Sequence, residues 1–128
     1  MNSNTVEQSV AELDAAFNRR DLEAVLEIYE DDAVLMVEPG RSICGKDYLR
    51  GFFELFLNSN STAKQEVIRV IPNGDIALFL SRWTLTTAVP DSDDERQQYV
   101  ATSVFRKGVD GRWRLAIDNS FGPMILDC

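Results

Sequence analysis

The chain has 128 residues, a length typical of one domain, and its 45% of hydrophobic residues is normal for a globular protein. Acidic residues outnumber basic ones by 21 to 13, which gives a formal net charge of −8. Because nucleic acids and anionic membranes are bound through clustered lysine and arginine, neither class of partner is expected. Histidine is absent, so serine–histidine and cysteine–histidine catalysis are excluded, and proton transfer is left to side chains such as carboxylates.

The sequence gives no indication of secretion, membrane insertion or nucleotide binding. Residues Met1–Thr5 lack a basic region followed by an apolar core, and no stretch approaches the roughly 18 apolar residues that span a bilayer. Cys44 and Cys128 lie far apart without motif spacing, so we expect a reduced, cytoplasmic protein, with a disulfide as the alternative. Without a Gly-x-Gly-x-x-Gly or phosphate loop, a tightly held nucleotide cofactor is not expected, and without histidine no zinc site that needs imidazole is expected, so we predict neither a cofactor nor a metal.

Periodic apolar residues predict two helices at the start of the chain. Asn4 and Glu7 fit a capping box for the first helix. Its apolar face, at three- and four-residue spacing, consists of Val6, Val10, Leu13 and Phe17. Asp21 is expected to cap the second helix, which Asp31-Asp32 would end. The apolar face of this second helix consists of Leu22, Val25, Leu26 and Tyr29.

A strand and a third helix are predicted next. Ala33–Val37 has the apolar run of a buried strand, and the turn signal Glu38-Pro39-Gly40 stops it. After Ile43–Gly45, a third helix has an apolar and strongly aromatic face made of Leu49, Phe52, Phe53, Phe56 and Leu57. These phenylalanines are expected in the core, with one or two lining a cavity as the alternative.

The second half of the chain has the pattern of strands separated by turns. The predicted strands are Glu66–Ile71, Ile76–Thr87, Gln98–Lys107 and Arg112–Asn119. The acidic segment Pro90–Glu95 is expected to be a solvated hairpin tip, with weak cation binding as the alternative. Helices followed by a run of strands indicate a single α+β domain over residues 1–128.

Several short motifs, in this order and spacing, resemble SnoaL-like and ketosteroid-isomerase-like proteins of the nuclear-transport-factor-2-like superfamily. The motifs are Phe17–Leu22, Tyr29–Val34, Glu38–Gly40, Gly45-Lys46, Gly74–Leu78, Trp83 and Asp110–Ser120. The resemblance covers Val6 to Gly122 and is nearest to a group of small bacterial proteins. It implies a cystatin-like cone, in which three helices pack on a strongly curved, mixed, mainly antiparallel sheet around an internal pocket. It also implies a homodimer paired through the sheet.

The resemblance argues against the proton-transfer machinery of ketosteroid isomerases in this chain. In those enzymes a tyrosine on the first helix and an acid on a later strand stabilise an oxyanion, and a carboxylate after the first strand moves the proton. The tyrosine position falls here at Leu13 and the later acid at Ser103. The base position falls at Val37, or at Glu38 if one residue of slippage is allowed. Steroid isomerisation by that machinery is therefore not expected.

Asp118 is the candidate catalytic residue, because SnoaL-type cyclases use an aspartate near the last strand as acid–base group. Alternation along this strand places Trp113, Leu115 and Ile117 on one face and Arg114, Ala116, Asp118 and Ser120 on the other. By the resemblance, the second face lines the pocket. Arg82 and Arg114 are candidate partners for Asp118, and a structural ion pair or turn cap is the alternative role.

The remaining residues expected to bind a ligand are Tyr29, Glu38, Tyr48, Phe52, Phe53, Trp83, Ser103, Phe105 and Asn119. Cys44 is expected to be a small buried hydrophobic residue. The sequence thus predicts a protein that binds a hydrophobic small molecule. If the protein is an enzyme, we expect cyclase- or isomerase-like catalysis with Asp118 as acid–base group. The alternative is a dimerising or association module without catalytic activity.

Overall fold

A computed structural model describes residues 5–127, which form helices, one six-stranded sheet and a short C-terminal 3-10 helix. The helices are α1 (Val6–Asn18), α2 (Leu22–Glu27) and α3 (Lys46–Phe56). The strands are β1 (Tyr29–Glu38), β2 (Arg41–Cys44), β3 (Ser61–Asn73), β4 (Ile76–Thr87), β5 (Glu95–Lys107) and β6 (Trp113–Asp118), and the 3-10 helix is Gly122–Asp127. No helix within residues 5–127 is long and apolar enough to cross a membrane.

The first two helices begin at side-chain caps. The Thr5 hydroxyl accepts a hydrogen bond from the Gln8 backbone N–H, and the Gln8 side chain accepts one from the Thr5 N–H, each at 3.1 Å. The capping box predicted at Asn4 and Glu7 is therefore displaced by one residue, and Asn4 lies outside the described residues. Asp21 caps α2 as predicted, by accepting from the Ala24 N–H at 3.2 Å.

Tyr29 and the two aspartates after it belong to β1, which corrects the prediction that Tyr29 lies on α2 and that Asp31-Asp32 ends that helix. The cause is pairing with a strand nearly 90 residues away in sequence. Tyr29 is opposite Leu115 in the parallel pair of β1 and β6, and the Leu115 N–H donates to the Ile28 carbonyl at 2.8 Å.

The strand order is β2-β1-β6-β5-β4-β3, with β1 and β6 parallel and every other neighbouring pair antiparallel. Helix α1 packs on β3 and β6, and α3 packs on β1 and β2. We call the face that carries the helices the inner face and the opposite one the outer face. Strands β3 and β5 begin earlier than predicted, because polar residues at their starts still pair with β4.

Bulges interrupt the alternation of side chains at several places in the sheet, and those in β6 and β3 affect the inner face. Val104 is opposite Ile117 and Phe105 is opposite Leu115, so Ala116 is an extra residue in β6. Leu115 and Asp118 consequently share the inner face, which corrects the predicted alternation in this strand. A second bulge lies at Glu66 in β3.

The residues after β6 fold back against β5. Gly122 has φ of +53°, and a Cβ atom there would overlap the Val100 carbonyl oxygen. Asn119 fixes this return, since its Nδ2 donates to Thr102 Oγ1 at 3.0 Å and to the Gly122 carbonyl at 3.2 Å. Ser120 and Phe121 are thereby held next to the inner face.

Gly122→Ala should destabilise the fold more than a glycine replacement at a turn. Both Gly122 and Gly74 have positive φ, but a Cβ at Gly74 meets nothing within 4 Å. Left-handed strain alone costs about 1–2 kcal/mol, and overlap with packed atoms typically adds about 1–3 kcal/mol. Chemical denaturation should therefore show a larger loss of unfolding free energy for Gly122→Ala than for Gly74→Ala. Equal losses would contradict the close packing of the 3-10 helix on β5.

Candidate functional site

A cavity of about 140 Å³ lies between the helices and the inner face of the sheet. Its wall is largely aromatic and aliphatic, and includes Leu13, Phe17, Phe52, Phe56, Phe79 and Leu85. Its volume is close to that of an engineered apolar cavity that holds benzene, and below the roughly 300 Å³ at which drug-sized pockets begin. A ligand that is fully enclosed here has the size of a single ring or a short chain.

Asp118 lies in the wall of this cavity, and both of its carboxylate oxygens accept hydrogen bonds. Its Oδ2 accepts a hydrogen bond from the Tyr29 hydroxyl at 2.6 Å. Its Oδ1 accepts from the hydroxyls of Ser103 and Ser120, each at 3.2 Å. Only 8% of Asp118 is exposed, and burial raises the pKa of its carboxyl although the three hydrogen bonds act in the opposite direction.

The expected arginine partners do not reach Asp118. Arg82 is on the outer face of β4 and exposed, one position away from the inward-facing Trp83. Arg114 donates to both carboxylate oxygens of Asp110, at 3.1 and 2.7 Å. The hydroxyl groups therefore take the place of a cation at Asp118.

Tyr29 connects the carboxylate to the aromatic wall. Its ring centroid lies 5.6 Å from that of Phe53, and only 2% of the residue is exposed. Burial, and then the neighbouring charge of Asp118, raise the pKa of the Tyr29 hydroxyl well above its usual range. Tyr29 therefore remains a neutral hydrogen-bond donor at physiological pH.

Asp14 is a second carboxyl group in the cavity wall, and the sequence analysis missed it. Its Oδ1 accepts from Gln65 Nε2 at 3.4 Å. The pKa of Asp14 is raised from 3.8 to about 6, mainly by burial; the Gln65 hydrogen bond acts to lower this pKa, and the charge of Asp118 acts to raise it. The available signal was its spacing, since Asp14 is four residues after Val10 and three before Phe17, on the apolar face of α1.

The structure brings most of the predicted site residues together and leaves three outside. The cavity wall contains Tyr29, Phe52, Phe53, Trp83, Ser103, Phe105 and Asp118. Glu38 is exposed at the end of β1, and Tyr48 is 70% exposed on α3. The buried Asn119 side chain is engaged in holding the chain return after β6. Cys44, expected to be buried, is exposed.

Asp14→Asn should stabilise the protein at high pH and have little effect at low pH. Because the pKa of Asp14 is about 6 in the fold and 3.8 ordinarily, the folded state favours the protonated form. The ionised Asp14 therefore destabilises the folded wild-type protein. This loss of unfolding free energy is absent below pH 3.8, grows as the pH rises and is complete above pH 6. At pH 8 the substitution should raise the free energy of unfolding by about 1–3 kcal/mol, at 1.36 kcal/mol per pKa unit.

The measurement is the free energy of unfolding by urea at pH 3.5 and pH 8 for wild type and variant. Asp93→Asn, at an exposed position between β4 and β5, is the matched control and should have no effect at either pH. A difference between Asp14→Asn and wild type that is equal at the two pH values would contradict the raised pKa.

Comparison with known proteins connects this architecture to a family. A family model described as a SnoaL-like domain matches residues 10–116. A search of curated protein sequences gave no match.

Three solved structures illustrate the range of similar proteins. A ketosteroid isomerase-like protein from Erwinia carotovora atroseptica SCRI1043 is 27% identical with a TM-score of 0.70, over 88% of each chain. A nuclear-transport-factor-2-like protein with a cystatin-like fold from Novosphingobium aromaticivorans is 14% identical with a TM-score of 0.76, over 88% of this chain and 76% of that one. A candidate calcium/calmodulin-dependent protein kinase II association domain from Xanthomonas campestris is 22% identical with a TM-score of 0.78, over 91% of this chain and 84% of that one.

The fold class predicted from the sequence, α+β with three helices on a mixed and mainly antiparallel sheet, is confirmed, as is the resemblance to nuclear-transport-factor-2-like proteins. Because the family model matches most of the chain, the chain belongs to the SnoaL-like domain family.

Proposed function

We propose that this protein binds a small, neutral, hydrophobic molecule in the cavity and transfers a proton on it, with Asp118 as acid–base group. The observation that carries the proposal is that two carboxyl groups with raised pKa, Asp118 and Asp14, line one largely apolar cavity. Carboxyl groups whose environments shift their pKa toward neutral pH are suited to exchange protons with a substrate.

The two carboxyl groups differ in their hydrogen-bond partners, which suits them to different parts of a proton transfer. At neutral pH Asp14, with a pKa of about 6, is largely ionised and can accept a proton. Asp118 is held by Tyr29, Ser103 and Ser120, so its position is fixed while its proton is exchanged. A neutral ligand is favoured, because the ionised Asp14 would repel an anion in a cavity of low dielectric constant.

The chemistry that fits best is enolisation of a small carbonyl compound. The C–H bond next to the carbonyl breaks, its proton passes to a carboxylate, and its electron pair forms the C=C bond of an enolate, so that the negative charge moves from the carboxylate to the carbonyl oxygen. Return of the proton to the same carbon exchanges hydrogen, and return to another carbon isomerises the compound. Both outcomes are redox-neutral and balanced by the proton alone.

Hydrogen–deuterium exchange tests this chemistry without knowledge of the natural substrate. Cyclohexanone, a single neutral ring, is incubated with the protein in D2O, and loss of its α-hydrogens is followed by NMR. Wild type should accelerate the exchange, and Asp118→Asn should reduce that acceleration by about 100-fold, the usual size of a general acid–base contribution. Asp14→Asn should also reduce it, whereas the matched change Asp93→Asn should not.

Thermal shift with the same compound separates the two parts of the proposal. A raised melting temperature without faster exchange would overturn proton transfer and leave a binding protein. Neither binding nor exchange with any compound in a panel of single-ring ketones would overturn the use of the cavity as a ligand site.

The outer face of the sheet favours a second function, association of two copies of this chain. A row of apolar residues crosses five strands on this face, each opposite the next: Ile71, Leu78, Val104, Ile117 and Val34. Ile71 is 59% exposed, Ile117 44% and Leu78 41%. A sheet face that stays in water is commonly polar, so this row is suited to burial against an identical row in a symmetric dimer.

Leu78→Glu should convert such a dimer into monomers, because two-fold symmetry would bring charges from both copies into an apolar interface. Val109→Glu is the matched control, since Val109 is fully exposed in the turn between β5 and β6. Sedimentation velocity in 150 mM salt should give a dimer for wild type and for Val109→Glu, and a monomer for Leu78→Glu. A monomeric wild type at 100 µM would contradict the proposed dimer.

A further inference from the structure

Two buried polar atoms in the cavity wall have no hydrogen-bond partner within residues 5–127. They are Oε1 of Gln65 and Oγ of Ser81. Ser81 is only 5% exposed, so its hydroxyl has no access to bulk water. Buried polar groups in folded proteins are nearly always paired, because leaving one unpaired carries its full desolvation penalty. These two atoms therefore point to a polar group that enters the cavity from outside the chain.

Gln65 and Ser81 are neighbours on the inner face of the sheet. Gln65 is opposite Trp83 in the pair of β3 and β4, and Ser81 is opposite Ile68 across the bulge at Glu66. On the inner face, Gln65 and Ser81 are thus diagonal neighbours, an arrangement in which long side chains reach each other. A single oxygen atom at normal hydrogen-bond distance from both atoms can bridge a gap of about 5.5 Å.

The hydrogen-bonding capacities of the two side chains define which ligand group would pair with both. The Gln65 amide uses Nε2 to donate to Asp14, so its Oε1 requires a donor. The Ser81 hydroxyl can donate to an acceptor. A ligand hydroxyl supplies both functions from one oxygen atom, whereas a carbonyl oxygen would satisfy Ser81 and leave Gln65 unpaired.

We propose that Gln65 and Ser81 bind a hydroxyl group of the ligand, so that the protein selects small carbonyl compounds that also carry a hydroxyl group over those of equal size that lack one. This inference rests on the proposed function, because it assigns a specificity site within the same cavity. The bound hydroxyl would lie beside Asp14, which shares the Gln65 amide, and the apolar part of the ligand would contact the phenylalanine wall. Gln65 and Ser81 are positioning residues in this proposal.

Phenol and toluene are suitable probes, because they have nearly the same size and shape, and toluene has a methyl group where phenol has its hydroxyl. Both match a cavity of about 140 Å³. Their dissociation constants are measured by calorimetry at pH 7 for wild type, Ser81→Ala, Gln65→Met and Ser42→Ala. Ser42 is exposed on β2 and provides the matched serine control.

Ser81→Ala should weaken phenol binding about fivefold relative to toluene, the usual effect of one neutral hydrogen bond, and Gln65→Met should act in the same direction. Toluene binding should be retained in both variants, which also shows that they are folded. Ser42→Ala should keep the wild-type ratio of the two constants.

An equal phenol-to-toluene ratio in wild type and in Ser81→Ala would overturn the hydroxyl site and assign the two atoms to bound water. That result would leave the cavity as a binding site, so it differs from failure of the proposed function. If neither compound bound wild type at millimolar concentration, both proposals would be overturned together.

Discussion

The buried carboxylate of Asp118 is the constraint on which the candidate site depends. Its three hydrogen bonds come from Tyr29 at the start of β1, Ser103 in the middle of β5 and Ser120 after β6. Each donor fixes one element relative to the carboxylate, so the group connects strands that are far apart in sequence. The bulge at Ala116 is what makes this arrangement available, because regular alternation after Leu115 would turn Asp118 to the outer face.

Several polar groups in the cavity wall lower the free energy of unfolding. Burial raises the pKa of both Asp118 and Asp14, so an ionised carboxyl at either position opposes folding. The unpaired Ser81 hydroxyl adds a further unfavourable contribution. An aliphatic side chain at position 81 would continue the surrounding wall without this last cost, whereas one at position 118 would leave three hydroxyl donors without their acceptor. Residues that lower the stability of the fold are expected at functional sites, and Asp14, Ser81 and Asp118 all line the same cavity.

Local patterns in the sequence predicted the parts of this structure that depend on local physics. Apolar periodicity identified the inward faces of α1 and α3, and glycine and proline identified the turns between the long strands. Tyr29 was misplaced because its strand is set by pairing with Leu115, which no local pattern records. The inner face of β6 was misassigned because a bulge has no sequence signature in this strand. Asp14 was missed because one acid on an apolar helix face is usually treated as a boundary of that face.

The two proposed functions use opposite faces of the same strands and are therefore compatible. Leu78 of the outer row is followed by Phe79 in the cavity wall, Val104 lies between Ser103 and Phe105, and Ile117 precedes Asp118. Burial of the outer row would restrict the motion of β4, β5 and β6 from behind, and these strands carry Ser81, Ser103 and Asp118. Proton transfer requires such groups to be held within a fraction of an ångström. Pairing of two copies would then support the site mechanically without contributing a residue to it.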